Sequence, residues 1–270
     1  MIDPVVDLDW VRAHAERVVL ADVRWYLDGR SGRAAYDGGH LPGAVFVDLD
    51  RVLARPGTAA DGRHPLPAPE TFAAGLSALG VADNDTVIAY DDSGGITAAR
   101  LVWMLRVTGH DSALLDGGLT AYAGQLERAV PHRPPAAFTP RPWPAERLAG
   151  LDDAADRSFV VLDARDRARF RGDVEPVDPR AGHIPGARNL PCRDNVDPKG
   201  HFLPAAELRE RFADVGVTDG GSVISYCGSG VTACHNLIAL EYAGFGAGRL
   251  YPGSWSQYST DAGRPAAVSD

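Results

Sequence analysis

Cys227 has the sequence setting of a nucleophile. It directly follows the apolar run Val223–Tyr226, and the loop Cys227-Gly-Ser-Gly-Val-Thr leads into a helix-length segment that ends near Gly244. Glycines in such a loop allow the backbone to curl so that successive N–H groups point inward. Inward N–H groups and the helix dipole stabilise negative charge, which favours the thiolate of a cysteine. The loop predicts a sulfur that attacks or binds an anion, whereas Cys227 taken alone would fit a small buried residue equally well.

The other two cysteines have no such setting. The chain has three cysteines, an odd and small number that excludes a disulfide framework and fits a reducing cytoplasm. Cys192 follows Pro191 in a predicted loop, and Cys234 lies on the helix after the Cys227 loop. We expect both to be packing residues, because neither has the spacing of a metal ligand. No metal site is predicted.

The chain contains two similar halves. Four segments of the first half recur in the second in the same order, at a period of roughly 135 residues. The paired segments are VVLADVRWYL with FVVLDARDRARF, GGHLPGAVFVDLD with AGHIPGARNLP, TVIAYDDSGGITAARLVWML with SVISYCGSGVTACHNLIALEYAG, and LLDGGLTAY with RLYPGSWSQY. Such a period suits a duplicated domain. In the first half Asp91 takes the position of Cys227, so that half is predicted to keep the fold without the nucleophile.

Each half alternates short apolar runs with helix-length segments. The predicted strands include Val18–Leu20, Thr86–Ala89, Val160–Leu162 and Val223–Ser225. The predicted helices include Pro69–Leu79 and Ala205–Phe212, each followed by a glycine. This alternation predicts an α/β fold with two tandem doubly wound domains, each a mainly parallel central sheet flanked by helices. Sites in such folds lie at the carboxyl ends of strands, where Cys227 falls.

A proline-rich stretch separates the two halves. Residues 129–144 read AVPHRPPAAFTPRPWP, and these prolines exclude a helix or a central strand. The prediction is an inactive domain over 1–128, a linker over 129–148 and a catalytic domain over 149–270. A single long surface loop is the alternative for the proline-rich stretch.

The charge of the chain excludes two classes of partner. The formal net charge is -9 at pH 7, which opposes binding to nucleic acid and to anionic membranes. A local pocket could still bind a small anion. The first ten residues carry three aspartates and no apolar stretch, and no apolar run reaches the length of a membrane span. We expect a cytoplasmic protein without a signal peptide.

The sequence resembles the rhodanese superfamily in its two-domain form, with an inactive N-terminal and an active C-terminal domain. The resemblance covers nearly the whole chain and includes Gly39-His-Leu-Pro-Gly, Gly182-His-Ile-Pro-Gly, Leu115-Asp-Gly-Gly-Leu and Pro252-Gly-Ser-Trp. The Cys227 loop is similar to that of the 3-mercaptopyruvate sulfurtransferases. Thiosulfate-preferring relatives carry cationic side chains just after the cysteine, where Gly228 and Ser229 stand here. The resemblance implies two rhodanese-like domains and sulfur transfer as the reaction.

The resemblance also implies roles for individual residues. Arg169, in an Arg-Phe pair after the Asp-Ala-Arg strand end, would hold the substrate carboxylate. Ser229, His64 and Asp50 would form a polar relay beside Cys227. Because His64 and Asp50 come from the inactive half, the site would lie at the domain interface. The remaining loop residues that would bind substrate are Gly228, Gly230, Val231 and Thr232.

One position departs from the family pattern. The mercaptopyruvate enzymes have a second arginine after a Glu-Pro pair, and this chain has Val177 there. Arg180 is the predicted substitute, Arg171 is the alternative, and a weaker grip on the carboxylate is the third outcome. The preferred sulfur donor therefore stays open.

The resemblance implies a double displacement without a metal or organic cofactor. Cys227 would take sulfur from a small anionic donor, 3-mercaptopyruvate, release pyruvate, and pass the sulfur from a persulfide to cyanide or to a thiol acceptor such as thioredoxin. Thiosulfate:cyanide sulfur transfer is the nearest alternative, and a non-catalytic sulfur carrier or regulatory module is another. A cysteine phosphatase or arsenate reductase is disfavoured because Ala233 stands where its loop needs an arginine. A serine hydrolase is disfavoured because Ser229 lacks the G-x-S-x-G elbow.

Overall fold

The protein forms two compact units. The structure, a computed structural model, describes residues 1–268. Unit 1 comprises Met1–Arg55, Pro67–Trp143 and Val196–Phe202, and unit 2 comprises Pro56–Leu66, Pro144–Asn195 and 203–268. Each unit is built around its own parallel sheet.

Unit 1 forms a five-stranded sheet within the described residues. In chain order its strands are β1 (Val5–Val6), β2 (Val18–Asp22), β3 (Val45–Phe46), β4 (Thr86–Tyr90) and β5 (Ser112–Leu115). They lie in the order β1-β5-β4-β2-β3 and pair in parallel. All residues of the central strand β4 are buried, as expected for an apolar run covered on both faces of a parallel sheet.

Helices pack around this sheet. They are α1 (Leu8–Ala13), α2 (Gly32–Gly38), α3 (Pro69–Ala78) and α4 (Ala98–Val107), with a π-helical turn at Leu49–Leu53 and a 3-10 turn at Gly118–Ala121. α3 begins with Pro69, at a position where the N–H that proline lacks has no helical partner. α4 packs against β4 and β5 and is buried along nearly its whole length.

Unit 2 repeats this plan with a smaller sheet. Its strands are β6 (Val160–Asp163), β7 (Arg188–Asn189), β8 (Val223–Tyr226) and β9 (Arg249–Leu250), which pair in parallel in the order β7-β6-β8-β9. Its helices are α5 (Arg167–Arg171), α6 (Ala205–Asp214), α7 (Ala233–Tyr242) and α8 (Ser254–Tyr258). Short 3-10 turns lie at Ala145–Arg147, Asp153–Ala155, Cys192–Asn195 and Gly220–Ser222. α7 packs against β8, β9 and α6.

The predicted α/β fold of two tandem domains with parallel sheets is confirmed. The strands predicted at β2, β4, β6 and β8 each extend one or two residues further at the carboxyl end. The helix predicted over Pro69–Leu79 ends at Ala78, and that over Ala205–Phe212 ends at Asp214. Within residues 1–268, no helix combines the length and the apolarity needed to cross a membrane.

A buried ion pair recurs at the same place in both sheets. Asp22, the last residue of β2, pairs with Arg24, and Asp163, the last residue of β6, pairs with Arg165, each at 2.7 Å. Each arginine also donates to the carbonyl of the glycine in the Gly-His motif of its unit, at 2.8 and 2.7 Å. Because breaking a buried pair leaves an uncompensated charge, these pairs tie the following loops firmly to the strand ends.

Two segments belong to a different unit from the one that the linear order predicts. Pro56–Leu66 lies within the predicted inactive domain but is part of unit 2. Val196–Phe202 lies within the predicted catalytic domain but is part of unit 1. Hydrogen bonds between residues nearly 200 positions apart hold the first segment, and no local sequence pattern reports them.

The proline-rich stretch is divided between the units instead of standing apart. Its residues up to Trp143 belong to unit 1, and those from Pro144 belong to unit 2. In unit 1, Ala136 N–H donates to the carbonyl of Ser77 at 3.0 Å, and Thr139 Oγ1 donates to Asp83 at 2.6 Å. These bonds give the extended backbone polar partners that a free linker would find only in water.

Candidate active site

Cys227 lies at the carboxyl end of β8 and is buried. The backbone N–H of Gly230 donates to its Sγ at 3.2 Å. The N–H of Cys227 itself donates to Ser254 Oγ at 3.1 Å. The loop therefore curls around the sulfur and directs an amide at the atom on which charge would develop.

The turn that opens α8 fixes the backbone of this loop. Trp255 N–H donates to the carbonyl of Cys227 at 2.9 Å, and Ser256 N–H donates to that of Gly228 at 2.9 Å. Ser254, which bonds the Cys227 amide, has a φ of +53°, a conformation that residues other than glycine rarely adopt. A strained residue in direct contact with the nucleophile is a feature of functional sites. Its signal in the sequence is the Pro-Gly-Ser-Trp motif, which does not by itself reveal the contact.

Gly230 is required by the shape of the loop. Its φ is +77°, and a Cβ at this position would lie 2.6 Å from the carbonyl oxygen of Pro252. Because that oxygen belongs to the backbone, a side chain could be accommodated only by moving the chain. Both the positive φ and the close approach of Pro252 therefore require a glycine at the position whose amide bonds Cys227.

His64 and Ser229 lie in direct contact within unit 2. His64 Nδ1 and Ser229 Oγ are 2.7 Å apart. The half-buried His64 reaches this position because its segment, Pro56–Leu66, belongs to unit 2. Two of the predicted relay residues are thus brought together beside Cys227.

Backbone contacts hold the His64 segment against α8. Arg63 N–H donates to Ser256 Oγ at 3.1 Å, and Gln257 Nε2 donates to the carbonyl of Ala60 at 2.5 Å. Thr260 Oγ1 donates to the carbonyl of Ala59 at 3.2 Å. The segment is therefore anchored along its length before it presents His64.

Asp50, the third predicted relay residue, lies in unit 1. It is exposed on the π-helical turn Leu49–Leu53, and Trp25 Nε1 donates to its Oδ2 at 3.2 Å. A role for Asp50 in the relay stays a prediction.

Arg169 is held by two acidic residues. Its Nη2 donates to Glu175 Oε1 at 2.6 Å and to Asp178 Oδ2 at 3.0 Å. Glu175 also accepts from the backbone N–H of Val177 at 3.1 Å. The Val177 side chain is exposed, and the position of the missing arginine contributes only this backbone contact to the cluster.

Arg63 is a site residue that the sequence does not reveal. A Cβ built on Gly228 would lie 2.8 Å from Arg63 Nη2 and 3.5 Å from Arg169 Nη1. Both guanidinium groups therefore cover the residue that follows the nucleophile. Arg63 also pairs with Asp178 through its Nη1. In the sequence Arg63 is an arginine in a proline-rich loop, and only its position next to His64 hints at a role.

The two acids of this cluster differ in their electrostatics. Burial raises the pKa of Asp178, and the neighbouring Arg63 opposes this only in part. Burial would also raise the pKa of Glu175, but hydrogen bonds from Arg169 and from the Asp178 amide outweigh it and lower the pKa. Glu175 is therefore the firmly ionised partner of Arg169.

Arg180 and Arg171 are engaged elsewhere. The Arg180 guanidinium donates to four backbone carbonyls of residues 258–264, at 2.8 to 3.1 Å. These bonds occupy its nitrogens in holding the C-terminal segment, which counts against the predicted role in substrate binding. Arg171 pairs with Asp173 at 2.7 Å with nearly half of its side chain exposed.

The remaining loop positions line the start of α7. Val231 is buried, and Thr232 is the half-buried residue that precedes the helix. Cys234 Sγ donates to the carbonyl of Gly230 at 3.4 Å, and Cys192 is buried in its 3-10 turn. Both placements agree with the packing roles predicted for these two cysteines.

In unit 1 the equivalent loop is filled by its own side chain. The carboxylate of Asp91 accepts from the backbone N–H groups of Ser93, Gly95, Thr97 and Ala98, at 2.7 to 3.0 Å. The loop after β4 is thus an anion-binding loop that already contains an anion. This agrees with the prediction that the first half keeps the fold without the nucleophile.

Comparison with known proteins identifies the family. The model of the rhodanese-like domain matches residues 7–125 and again residues 145–261. The chain belongs to the rhodanese family. Both halves match, so the internal repeat is a pair of rhodanese domains, and the predicted family membership is confirmed.

The likeness to other two-domain rhodaneses extends over nearly the whole chain. The "Probable 3-mercaptopyruvate sulfurtransferase" of Pseudomonas aeruginosa is 42% identical, covering 94% of this chain and 93% of that protein. The "Putative thiosulfate sulfurtransferase SseB" of Mycobacterium tuberculosis is 41% identical, covering 92% of this chain and 90% of that protein. The crystal structure of SseA from Escherichia coli, a 3-mercaptopyruvate sulfotransferase, has a TM-score of 0.81 at 32% identity and covers 94% of this chain and 99% of that chain.

Proposed function

We propose that this protein is a 3-mercaptopyruvate sulfurtransferase in which Cys227 carries the transferred sulfur. The observation that carries the proposal is the position of Cys227 Sγ, which accepts from the Gly230 amide next to a glycine covered by two guanidinium groups. A thiolate beside an anion-binding pair suits a donor that has both a sulfur and a carboxylate. Sulfur transfer as the reaction class, predicted from the sequence, is confirmed by relatives named as sulfurtransferases.

The first half-reaction moves sulfur to the enzyme. The Cys227 thiolate attacks the sulfur of 3-mercaptopyruvate, a sulfur–sulfur bond forms, and the carbon–sulfur bond breaks. The electron pair of that bond remains on carbon as the enolate of pyruvate. Protonation of this carbon gives pyruvate, and Cys227 is left as a persulfide.

The Ser229–His64 pair supplies the proton in this scheme. The contact of 2.7 Å between the two side chains allows the imidazole to pass a proton through the hydroxyl to the leaving carbon. Such a relay distinguishes 3-mercaptopyruvate from thiosulfate, because only the former leaves a carbanion to protonate.

The second half-reaction returns the enzyme to its starting state. An acceptor thiolate attacks the outer sulfur of the persulfide, and the inner sulfur leaves as the Cys227 thiolate. The Gly230 amide stabilises this thiolate as it forms. We propose a small thiol or thioredoxin as acceptor, in the reducing cytoplasm that suits the three free cysteines.

The charge balance near Cys227 favours a monocarboxylate donor. A continuous set of ion pairs joins three arginines to three carboxylates, namely Arg63, Arg165 and Arg169 with Asp163, Glu175 and Asp178. Such a set has no net charge when all its members are ionised, so a dianion gains less from it than from unpaired cations. Thiosulfate is a dianion, and it remains the second candidate because of the M. tuberculosis relative.

Steady-state kinetics with the two donors test the proposal. We expect kcat/KM with 3-mercaptopyruvate to exceed that with thiosulfate, and pyruvate to form in step with sulfur transfer. A strong preference for thiosulfate would overturn the donor and leave the sulfurtransferase assignment. A persulfide that forms once and never passes to cyanide or thiols would identify a sulfur carrier instead.

A further inference from the structure

We propose that Arg63 is the second cation of the donor site, in place of the arginine that Val177 replaces, and that Asp178 positions both arginines. The inference rests on the proposed function, because it names the residues by which the same site selects a donor with a carboxylate. The sequence prediction gave this role to Arg180, whose guanidinium is bonded to backbone carbonyls.

The two guanidinium groups converge on one point of the Cys227 loop. Nη2 of Arg63 and Nη1 of Arg169 lie 2.8 and 3.5 Å from the place of a Cβ on Gly228. Gly228 is bonded to Cys227, so these nitrogens lie next to the backbone of the nucleophile. A carboxylate can accept from two guanidinium groups at once, and the planar fork of arginine fixes its orientation.

Asp178 determines which nitrogens face the loop. It accepts from Nη1 of Arg63 and, at 3.0 Å, from Nη2 of Arg169. The nitrogens that remain are those directed at Gly228. The Asp178 side chain is 2% exposed and that of Arg63 is 29% exposed. The buried carboxylate therefore orients a guanidinium group that solvent and substrate can reach.

Ser256 ties Arg63 and the catalytic loop to the same anchor. Its Oγ accepts from the backbone N–H of Arg63 at 3.1 Å, and its own N–H donates to the carbonyl of Gly228 at 2.9 Å. The preceding Gly62 has a φ of +83°, and a Cβ there would lie 2.5 Å from the carbonyl oxygen of Gly253. The distance between the Arg63 backbone and the loop is therefore set by close backbone packing.

This placement links anion binding to proton transfer. Arg63 and His64 are consecutive residues of one anchored segment, and His64 contacts Ser229. A donor whose carboxylate binds Arg63 therefore engages the same segment that supplies the proton. We expect the carboxylate to improve binding and to place the leaving carbon near the relay.

Kinetics of the full chain with 3-mercaptopyruvate and a thiol acceptor test Arg63. We expect Arg63→Gln to raise KM for the donor by about 10- to 100-fold with a smaller change in kcat, because a charge-assisted hydrogen bond to its carboxylate is lost. Arg63→Lys should recover part of the loss, since it keeps the charge without the planar fork. Arg12→Gln is the matched control, because Arg12 forms an exposed pair with Asp9.

Asp178→Asn tests the positioning role by donor selectivity. The amide holds the two guanidinium groups less firmly than the carboxylate does, so we expect kcat/KM for 3-mercaptopyruvate to fall while that for thiosulfate, which has no carboxylate to orient, does not, and the ratio of the second to the first to rise by about tenfold. A merely structural role would lower both values alike. Circular dichroism checks folding, and Arg63→Lys provides the comparison if Arg63→Gln does not fold.

The outcomes separate the two proposals. An unchanged KM in Arg63→Gln, or a rise in KM in Arg171→Gln instead, overturns the role of Arg63. Absence of turnover with 3-mercaptopyruvate in the wild type overturns the proposed function. In that case calorimetry with pyruvate decides on the arginine: weaker binding to Arg63→Gln than to wild type supports its role, and equal binding or none overturns it.

Discussion

Cys227 and Cys192 are both buried thiols of unit 2, but their surroundings differ. The Gly230 amide donates to Sγ of Cys227 at 3.2 Å. Burial, with a smaller contribution from nearby Cys227, raises the pKa of Cys192 to about 12. Cys192 therefore stays protonated near neutral pH, and a protonated thiol is a poor nucleophile. Sulfur chemistry is expected to be confined to Cys227.

Replacement of Cys227 by serine should abolish sulfur transfer without loss of the fold. A hydroxyl fits the space of the thiol but is not ionised near neutral pH and cannot form a persulfide. Turnover of 3-mercaptopyruvate and the melting temperature are the two measurements. Cys192→Ala is the control and should retain turnover; residual transfer by Cys227→Ser would show that another group is the nucleophile.

The Ser229–His64 contact should behave as one functional unit. We expect Ser229→Ala and His64→Asn each to lower kcat with 3-mercaptopyruvate by about 100-fold, because proton transfer to the leaving carbon is lost. The double variant should be little worse than either single one, since the two residues act together. Losses that multiply in the double variant would mean that the residues act independently.

Among single residues, the sequence predicts the role of those whose surroundings are formed by adjacent segments of the chain. Cys227 could be predicted because the strand, the glycines and the helix that shape its surroundings are adjacent in sequence. Arg63 could not be predicted, because its partner Asp178 lies 115 positions away. The assignment to Arg180 followed from closeness to Val177 in the sequence, whereas its guanidinium bonds residues 258–264.

Among the elements, the turn before α8 and the Cys227 loop form one backbone assembly. They are joined by hydrogen bonds to the amide and carbonyl of Cys227 and to the carbonyl of Gly228. Gly230 closes the assembly, because its missing side chain allows the loop to approach Pro252. The geometry around the sulfur therefore depends on two segments, the Cys227 loop and the start of α8, that are 27 residues apart in the sequence.

Gly230→Ala should destabilise the protein more than Gly246→Ala. Both glycines have a positive φ, at +77° and +82°, so either alanine is expected to cost about 1–2 kcal/mol from the backbone alone. Only at Gly230 does the new Cβ meet a carbonyl oxygen, which should add about 1–3 kcal/mol. Urea denaturation measures both free energies of unfolding; equal losses would show that the loop relaxes away from Pro252.

The main elements are predictable where the pattern is long and local. The central strands and the helices α3, α6 and α7 follow from apolar runs and from glycines at helix ends. The two-residue strands β1, β3, β7 and β9 carry too few residues for a periodic pattern, and pairing with neighbouring strands defines them. No sequence pattern predicts the π-helical turn that carries Asp50.

Across the whole molecule, the two copies of the duplicated domain have the same loop after a central strand, but the loop surrounds a different side chain in each. In unit 2 the loop after β8 surrounds a thiol, and in unit 1 the loop after β4 surrounds the Asp91 carboxylate. A loop whose amides are already bonded to a carboxylate does not take up a second anion. The duplication therefore supplies one reactive centre per chain.

Incubation with 3-mercaptopyruvate alone should add one sulfur atom per chain. Cys227 is expected to accept it because the Gly230 amide bonds its sulfur, whereas burial raises the pKa of Cys192, Cys234 donates to the carbonyl of Gly230, and Asp91 cannot form a persulfide. Intact-mass spectrometry under non-reducing conditions measures the gain, with Cys227→Ser as the blank. A gain of two sulfurs in the wild type would show that Cys192 or Cys234 is also reactive.

Unit 2 includes Pro56–Leu66, a segment from the first half of the chain. Gene fission at the proline-rich stretch would leave the nucleophile on one polypeptide and His64 and Arg63 on the other. Neither product would inherit a complete donor site, so selection for sulfur transfer would act against the split. In this proposal both halves of the gene are therefore needed for sulfur transfer, even though one half carries no reactive sulfur.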